Sequence, residues 1–508
     1  MNFSVRIKEN EFWWGGAVNE GIRMPLDKES LYTLDCRVNE TYNQMNPLWV
    51  SSQGRYLFVE GDFLFEVKEG KIHIYHADEV YLEEGFQTLS KAYLHAAKRF
   101  FKRSKHEIPQ EAMTSPQYCT WVDMLRQVNE KGVIEYAESL IQSEMPTGYL
   151  IIDEGWAKDY GDWEFDIRKF PNPKEMVARL HSLGFKVLLW VCPFVSKNCK
   201  QLELLLRNGA LIKDGQENPT LKTWWNGDSY LLDGTNPFAY EWLESTLNSL
   251  MIEYGIDGFK FDAGDSMYYA FEDLTYVKTS PNEQSFLWAK FAEKFAYSEL
   301  RACYKMGGAS VVQRLADKKS VWGENGLSML IPNIVQAGLL GYPYCCPDMI
   351  GGGNEVDFQG ESVKDEELFA RSCECSALMP MMQFSYSIWR TQNKTLKDIA
   401  KNFSLLRKSY VPMITDLIGE SKRTFAPILR NLEYVFPHQG LEWIKDEFML
   451  GDRLLVAPVL TKGMNKRIVV LPNGCQWIYL PNGKIYDGGQ SVEVEAPIEV
   501  LPYFERKE

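Results

Sequence analysis

Tyr254-Gly-Ile-Asp-Gly-Phe-Lys-Phe-Asp-Ala-Gly-Asp265 is the stretch that decides the fold. Within it Gly258 to Asp262 has the period of two expected of a strand, with Phe259 and Phe261 on one face and Lys260 and Asp262 on the other. Ala263-Gly264 ends the run. A lysine and an aspartate in a buried strand are costly unless they pair or do chemistry. At the carboxyl end of a strand in a parallel α/β barrel, such side chains are placed for catalysis. A structural ion pair is the bland alternative.

Outward from that strand, the middle of the chain repeats one unit. Eight strand-like runs are CTWVD (119–123), YLIIDEGW (149–156), KVLLWVCPF (186–194), GFKFDAG (258–264), SVVQRLAD (310–317), SVWGEN (320–325), YPYCCPD (342–348) and MQFSYS (382–387). Several are continuously apolar, as strands covered on both faces are. Helical patterns such as KEMVARLHSLG and FAYEWLESTLNSLMIEYG separate most of them. The alternation predicts an α/β fold, a (β/α)8 TIM barrel over residues 107–410. The short link between the fifth and sixth runs is the weakest point of the count. A doubly wound open sheet is the competing architecture, but no GxGxxG phosphate loop supports it.

The flanks read differently. Residues 1–106 alternate apolar and polar side chains between glycine turns, as in GRYLFVEGDFLFEVKEGKIHIYHA, which predicts an N-terminal β-sandwich. Residues 411–508 carry short strands with Pro-Asn-Gly turns, which predicts a C-terminal β-sandwich. A chain of 508 residues is long enough for these three domains.

Composition narrows the partners. The formal charge of −14 argues against nucleic acid or an anionic membrane. No apolar run reaches membrane-spanning length, and the first residues have no apolar secretory core. The ten cysteines have no metal-binding spacing and sit in apolar context, so reduced, buried thiols and a cytoplasmic location are expected. None of the six histidines lies beside the acidic motifs. Neither a metal nor a cofactor is therefore expected.

Acids recur at the ends of the strand-like runs: Asp153 and Glu154, then Asp262, Asp317 and Asp348. Trp156, Trp190, Trp225 and Trp322 stand near them. Carboxylates accept from sugar hydroxyls and an indole covers the C–H face of a pyranose, so a small oligosaccharide or glycoside is the expected ligand. The simplest chemistry for converging carboxylates is then glycoside hydrolysis, with one acid ionised and one protonated about an oxocarbenium-like transition state. For any one of these acids an ion pair or a helix cap is the bland reading, and Asp123 and Asp265 are evenly balanced between the two.

These motifs resemble glycoside hydrolase family 31, and within it the branch containing the myogenesis-regulating glycosidase. GFKFDAGD is similar to that branch's nucleophile strand, RLADKKSVWG to its acid/base segment, and LIPNIVQAGLLGYPYCCPDMIGGG to the strand and loop beyond. MPMMQFSYSIWR, DEFMLGDRLLVAPVL, KFPNP after GDWEFD, and WWNG near 225 fit as well. The resemblance implies a retaining, exo-acting mechanism. Asp262 would be the nucleophile and Asp317 the general acid and base, with Lys260 keeping Asp262 ionised. Arg314 would bind hydroxyls or orient an acid, Asp153 and Glu154 would hold the far hydroxyls, and Trp190, Trp225, Trp322 and Asp348 would line the subsite. Glu324, in WGEN, competes with Asp317, although alignment through RLADKKSVWG favours Asp317. The branch points to α-galactosides, with α-glucosides and α-xylosides close behind; an inactive carbohydrate-binding barrel is the alternative of a different class. The family also allows a homo-oligomer. FWWGGAVNEGIRMPL resembles a branch segment whose loop reaches the barrel mouth, with interdomain packing of Trp13 and Trp14 as the plainer reading.

Overall fold

The computed structural model describes residues 1–359 and 364–507. Its centre is a sheet of eight parallel strands: β1 (Gln117–Cys119), β2 (Tyr149–Ile152), β3 (Lys186–Val191), β4 (Gly258–Phe261), β5 (Ser298–Leu300), β6 (Val312–Arg314), β7 (Cys345–Cys346) and β8 (Gln383–Phe384). They follow one another in chain order, and β8 returns to pair with β1. Between β7 and β8 the ring is joined by a lone parallel bridge, Met349 to Gln383, where the Ile350 N–H donates to the Gln383 carbonyl at 2.9 Å. The central strand β4 is buried along its whole length between β3 and β5.

Local chemistry sets the helix ends around this sheet. Pro237–Tyr254 begins with Asn236 accepting from the Phe238 N–H and stops at Gly255, whose φ of 78° is the left-handed conformation that glycine adopts at no steric cost. Pro281–Ala292 begins with Ser280 accepting from the Glu283 N–H. Both helices carry proline in their first turn, where no N–H is needed.

Two expectations about the strands are corrected. SVWGEN (320–325) forms bends and a turn, not a strand. The fifth strand is Ser298–Leu300, and SVVQRLAD supplies the sixth. Ser298-Glu299-Leu300 escaped notice because its middle side chain, fully buried, is a glutamate; the Arg314 guanidinium lies 3.3 Å from it inside the barrel. An ion pair thus stands where an apolar run would have announced a strand.

The N-terminal region is two antiparallel four-stranded sheets, and Trp49 of one stacks on Phe65 of the other with centroids 4.2 Å apart. Trp13 and Trp14 are buried within it, in the strand Trp13–Ala17. The turn after them docks on the barrel: Val18–Arg23 packs against the helix Leu330–Leu339, and Gln336 donates to the Gly15 carbonyl at 2.6 Å. The helix Val411–Thr424 leads to the C-terminal strands, a six-stranded and a two-stranded sheet with their own apolar cluster around Trp477 and Phe504.

Candidate active site

Because β4 is parallel to its neighbours, the residues just past its end emerge at the carboxyl mouth of the barrel. Asp262 is the first of them. Its backbone N–H donates to the Val191 carbonyl at 2.8 Å, prolonging the strand by one bond. Ala263 and Gly264 then turn away with φ of 54° and 75°. One Asp262 oxygen accepts from the Trp190 indole at 2.9 Å, and the other accepts from the Ala263 N–H at 2.9 Å and lies 3.3 Å from Arg301 Nε. Burial alone would raise the pKa of this carboxyl. Arg301, Lys260 and Arg314, helped by the Trp190 indole, hold it well below the usual carboxylate range.

Lys260 points to the same side of β4 but bonds Asp153, 2.7 Å from its Oδ2. That same oxygen accepts from the Cys119 thiol at 2.9 Å, and Oδ1 accepts from the Glu154 N–H at 2.8 Å. Burial opposes the Lys260 charge, and Asp153 outweighs it, so the ammonium is held above its ordinary pKa. Glu154 faces elsewhere: its Oε1 accepts from Arg126 at 2.9 Å, from Asn226 at 2.6 Å and from the Tyr160 hydroxyl. Burial raises its pKa against the pull of Tyr160 and Arg126.

The second acidic group forms around Arg314, the last residue of β6. Its Nη1 donates to Asp317 and, at 3.2 Å, to Asp348. Asp348 is buried, with φ of 82°, and accepts from the Lys318 N–H at 2.7 Å. Burial, reinforced by the charge of Asp317, pushes its carboxyl up to about 7. Asp317 itself is a third exposed at its side chain, open to the mouth while Asp262 is enclosed.

Arg301 stands beside Asp262, and sequence reasoning missed it. It follows the overlooked strand β5, contacts Asp262, and pairs with Asp265. Its guanidinium lies under Trp225, 4.7 Å from the ring centroid, and that indole remains partly exposed. The signal that could have found it was the positive residue at the end of SELR, had the strand been recognised. Asp265 and Asp123 also find partners, Arg301 for the first and the Ser387 hydroxyl and N–H for the second.

The structure therefore brings Asp262, Lys260, Asp153, Trp190 and Trp225 into one connected group, and Asp317, Arg314 and Asp348 into a second beside it. Trp322 donates to Asp365 at 2.9 Å, a residue also bonded to Lys462 of the C-terminal region. Glu324 is exposed in a turn.

An eight-stranded parallel barrel between two β domains, with aspartates, arginines and indoles at its carboxyl mouth, belongs to the TIM-barrel glycosidase class. Residues 107–417 match the glycosyl hydrolases family 31 TIM-barrel domain, and residues 425–508 match the glycosyl hydrolase family 31 C-terminal domain. The chain belongs to glycoside hydrolase family 31. It is 36% identical to the myogenesis-regulating glycosidase of Mus musculus over 80% of this chain and 58% of that protein. It is 25% identical to alpha-glucosidase 2 of Bacillus thermoamyloliquefaciens over 74% of this chain and 50% of that one. The chain thus spans between half and three fifths of the length of these relatives. Among solved structures, the Flavobacterium johnsoniae GH31 dextranase complexed with glucose superposes with a TM-score of 0.85 at 20% identity, covering 100% of this chain and 66% of that one. A GH31 alpha-xylosidase from a soil metagenome, complexed with xylose, gives 0.81 at 21% identity over 100% and 79%. Among the described residues no helix is long and apolar enough to cross a membrane.

Proposed function

We propose that the chain is a retaining, exo-acting α-glycosidase that removes a terminal α-linked hexose by double displacement. The observation that carries this reading is the contrast between its two aspartates. Asp262 is enclosed and held ionised by Arg301 and the Trp190 indole, as a nucleophile must be. Asp317 stands open at the same mouth, on the Arg314 guanidinium, where a leaving oxygen and then water can reach it. Asp262 would attack the anomeric carbon as Asp317 gives its proton to the departing oxygen. Asp317 would next take a proton from water, whose oxygen displaces Asp262. Lys260 and Asp153 sit deeper, suited to hydroxyls on the far side of the ring, and Trp225 offers an apolar plate.

The resemblance to the myogenesis-regulating branch favours an α-galactoside; the names of relatives acting as alpha-glucosidase and alpha-xylosidase supply the second reading, an α-glucoside or α-xyloside on the same scaffold. Ten free cysteines support a reducing, cytoplasmic setting. Initial rates on a panel of aryl α-galactoside, α-glucoside, α-xyloside and α-N-acetylgalactosaminide decide the epimer. A cyclitol epoxide of matching configuration should label Asp262 covalently. Binding without labelling by any epimer would replace the hydrolase with a carbohydrate-binding barrel.

A further inference from the structure

Asn43 and Gln44 lie in the N-terminal region, in the turn that enters the strand Met45–Ser51. Their side chains are almost wholly buried, and both amides leave their own domain. Asn43 Nδ2 donates to the Arg301 carbonyl at 2.7 Å and to the Arg314 carbonyl at 3.1 Å. Gln44 Nε2 donates to the same two carbonyls, each at 2.8 Å.

The register explains why those carbonyls are available. Pairing between β5 and β6 runs through Glu299 with Val312 and Leu300 with Gln313, and there it stops. The next residues, Arg301 and Arg314, are buried, so their backbone oxygens need donors from outside the ladder. The N-terminal turn supplies them, and it is itself fixed. Asn39 donates to the Asn43 carbonyl at 2.6 Å, the Met45 N–H donates to Cys303 at 3.0 Å, and Lys305 donates to Met45 at 3.1 Å.

These are the two arginines on which both acidic groups depend. We infer that Asn43 and Gln44 are positioning residues for the proposed glycosidase site: by clamping the peptide planes of Arg301 and Arg314, they set where the two guanidiniums meet Asp262 and Asp317. The brace rests on the reading of those aspartates as the reacting pair. Without the Gln44 amide, each buried carbonyl keeps only the Asn43 donor, whose bond to the Arg314 carbonyl is the longer at 3.1 Å, and each peptide is free to turn toward another partner. That rotation redirects the Cα–Cβ bond and carries the guanidinium with it.

The test compares Gln44→Met, which keeps the shape and loses the donors, with Asn46→Leu. Asn46 is a buried amide two residues on that donates to the Leu340 carbonyl at 2.8 Å and touches neither arginine. Melting temperature, kcat, KM and the pH profile are measured on the best aryl glycoside of the panel. Both variants should melt lower. Only Gln44→Met should lose kcat, by about 10-fold to 10²-fold, the scale of an ångström-sized misplacement, and its acid limb should move to higher pH. Gln44→Asn, too short to span both carbonyls, should give a smaller shift and replaces the methionine variant if that one does not fold. An unchanged kcat in the Gln44 variants, or an equal loss in Asn46→Leu, overturns the brace. If the parent chain cleaves nothing in the panel, the glycosidase reading fails on its own. A crystal structure of the Gln44 variant then decides the brace: guanidiniums unmoved relative to Asp262 and Asp317 refute it.

Discussion

Asp262 carries a negative charge where burial opposes one, and of the groups that hold it there Arg301 acts most strongly, ahead of Lys260 and Arg314. Replacing the arginine by methionine should let the carboxyl titrate higher. Since the proposed nucleophile must be ionised, the acid limb of kcat/KM should move up toward and past about pH 3.9, the ordinary aspartate value. In folding terms the depressed pKa contributes stability present above the unfolded value and lost as pH falls through the folded one. A pH–rate profile of the parent and Arg301→Met, taken down to the stability limit, reads the shift directly. Asp317 makes a separate prediction. Asp317→Ala should slow an unactivated glycoside by about 10²–10⁴-fold and an activated aryl glycoside far less, while Glu324→Ala leaves both rates intact. A dead Glu324→Ala enzyme beside an active Asp317→Ala one would reverse the assignment.

At the scale of elements, what could be read in the chain depended on which way each strand's side chains faced. The strand YLII is apolar on both faces and was legible, as was the strand with Lys260, whose phenylalanines alternate with it. Ser298–Leu300 was not, because Glu299 fills the barrel interior, and with it went Arg301. SVWGEN misled for the opposite reason: Val321 and Trp322 look strand-like, but Val321 is exposed and the Trp322 indole is taken by Asp365. The cross-domain amides of Asn43 and Gln44 left no mark in local pattern at all, since their partners are far away in the chain. The turn after β4 carries its own prediction. A Cβ on Gly264 would lie 2.1 Å from Trp288 Cδ1, and φ there is +75°. Gly264→Ala should therefore cost about 1–3 kcal/mol from overpacking and disturb Asp262 two residues away. Thermal unfolding and epoxide labelling would show both effects; a variant that melts and labels like the parent would refute the account.

For the molecule as a whole, the C-terminal region carries a pH dependence of its own. The C-terminal sheets bury two carboxyls, Glu447 and Glu433, each pushed up to about 8 by desolvation against the N–H groups of Val470 and His438. An acid with a raised native pKa binds its proton more tightly folded than unfolded. Its stabilisation is complete below the unfolded value of about 4.3 and is lost as pH rises through the folded one. Melting of this region should fall between about pH 5 and pH 8. Glu447→Gln, which keeps an acceptor for the Val470 N–H, should flatten that slope; a melting profile with the same slope as the parent would exclude Glu447 as its cause.

The lone bridge between Met349 and Gln383 makes the barrel a clasp more than a hoop. Among the described residues every other junction is a ladder of at least two paired residues, so breathing of the ring is expected to start at this catch, one residue beyond Asp348. Amide deuteration should reach Ile350 before it reaches the paired positions of β3 and β4. The wall that carries the more exposed aspartate should then exchange first, while the strands around Lys260 stay protected.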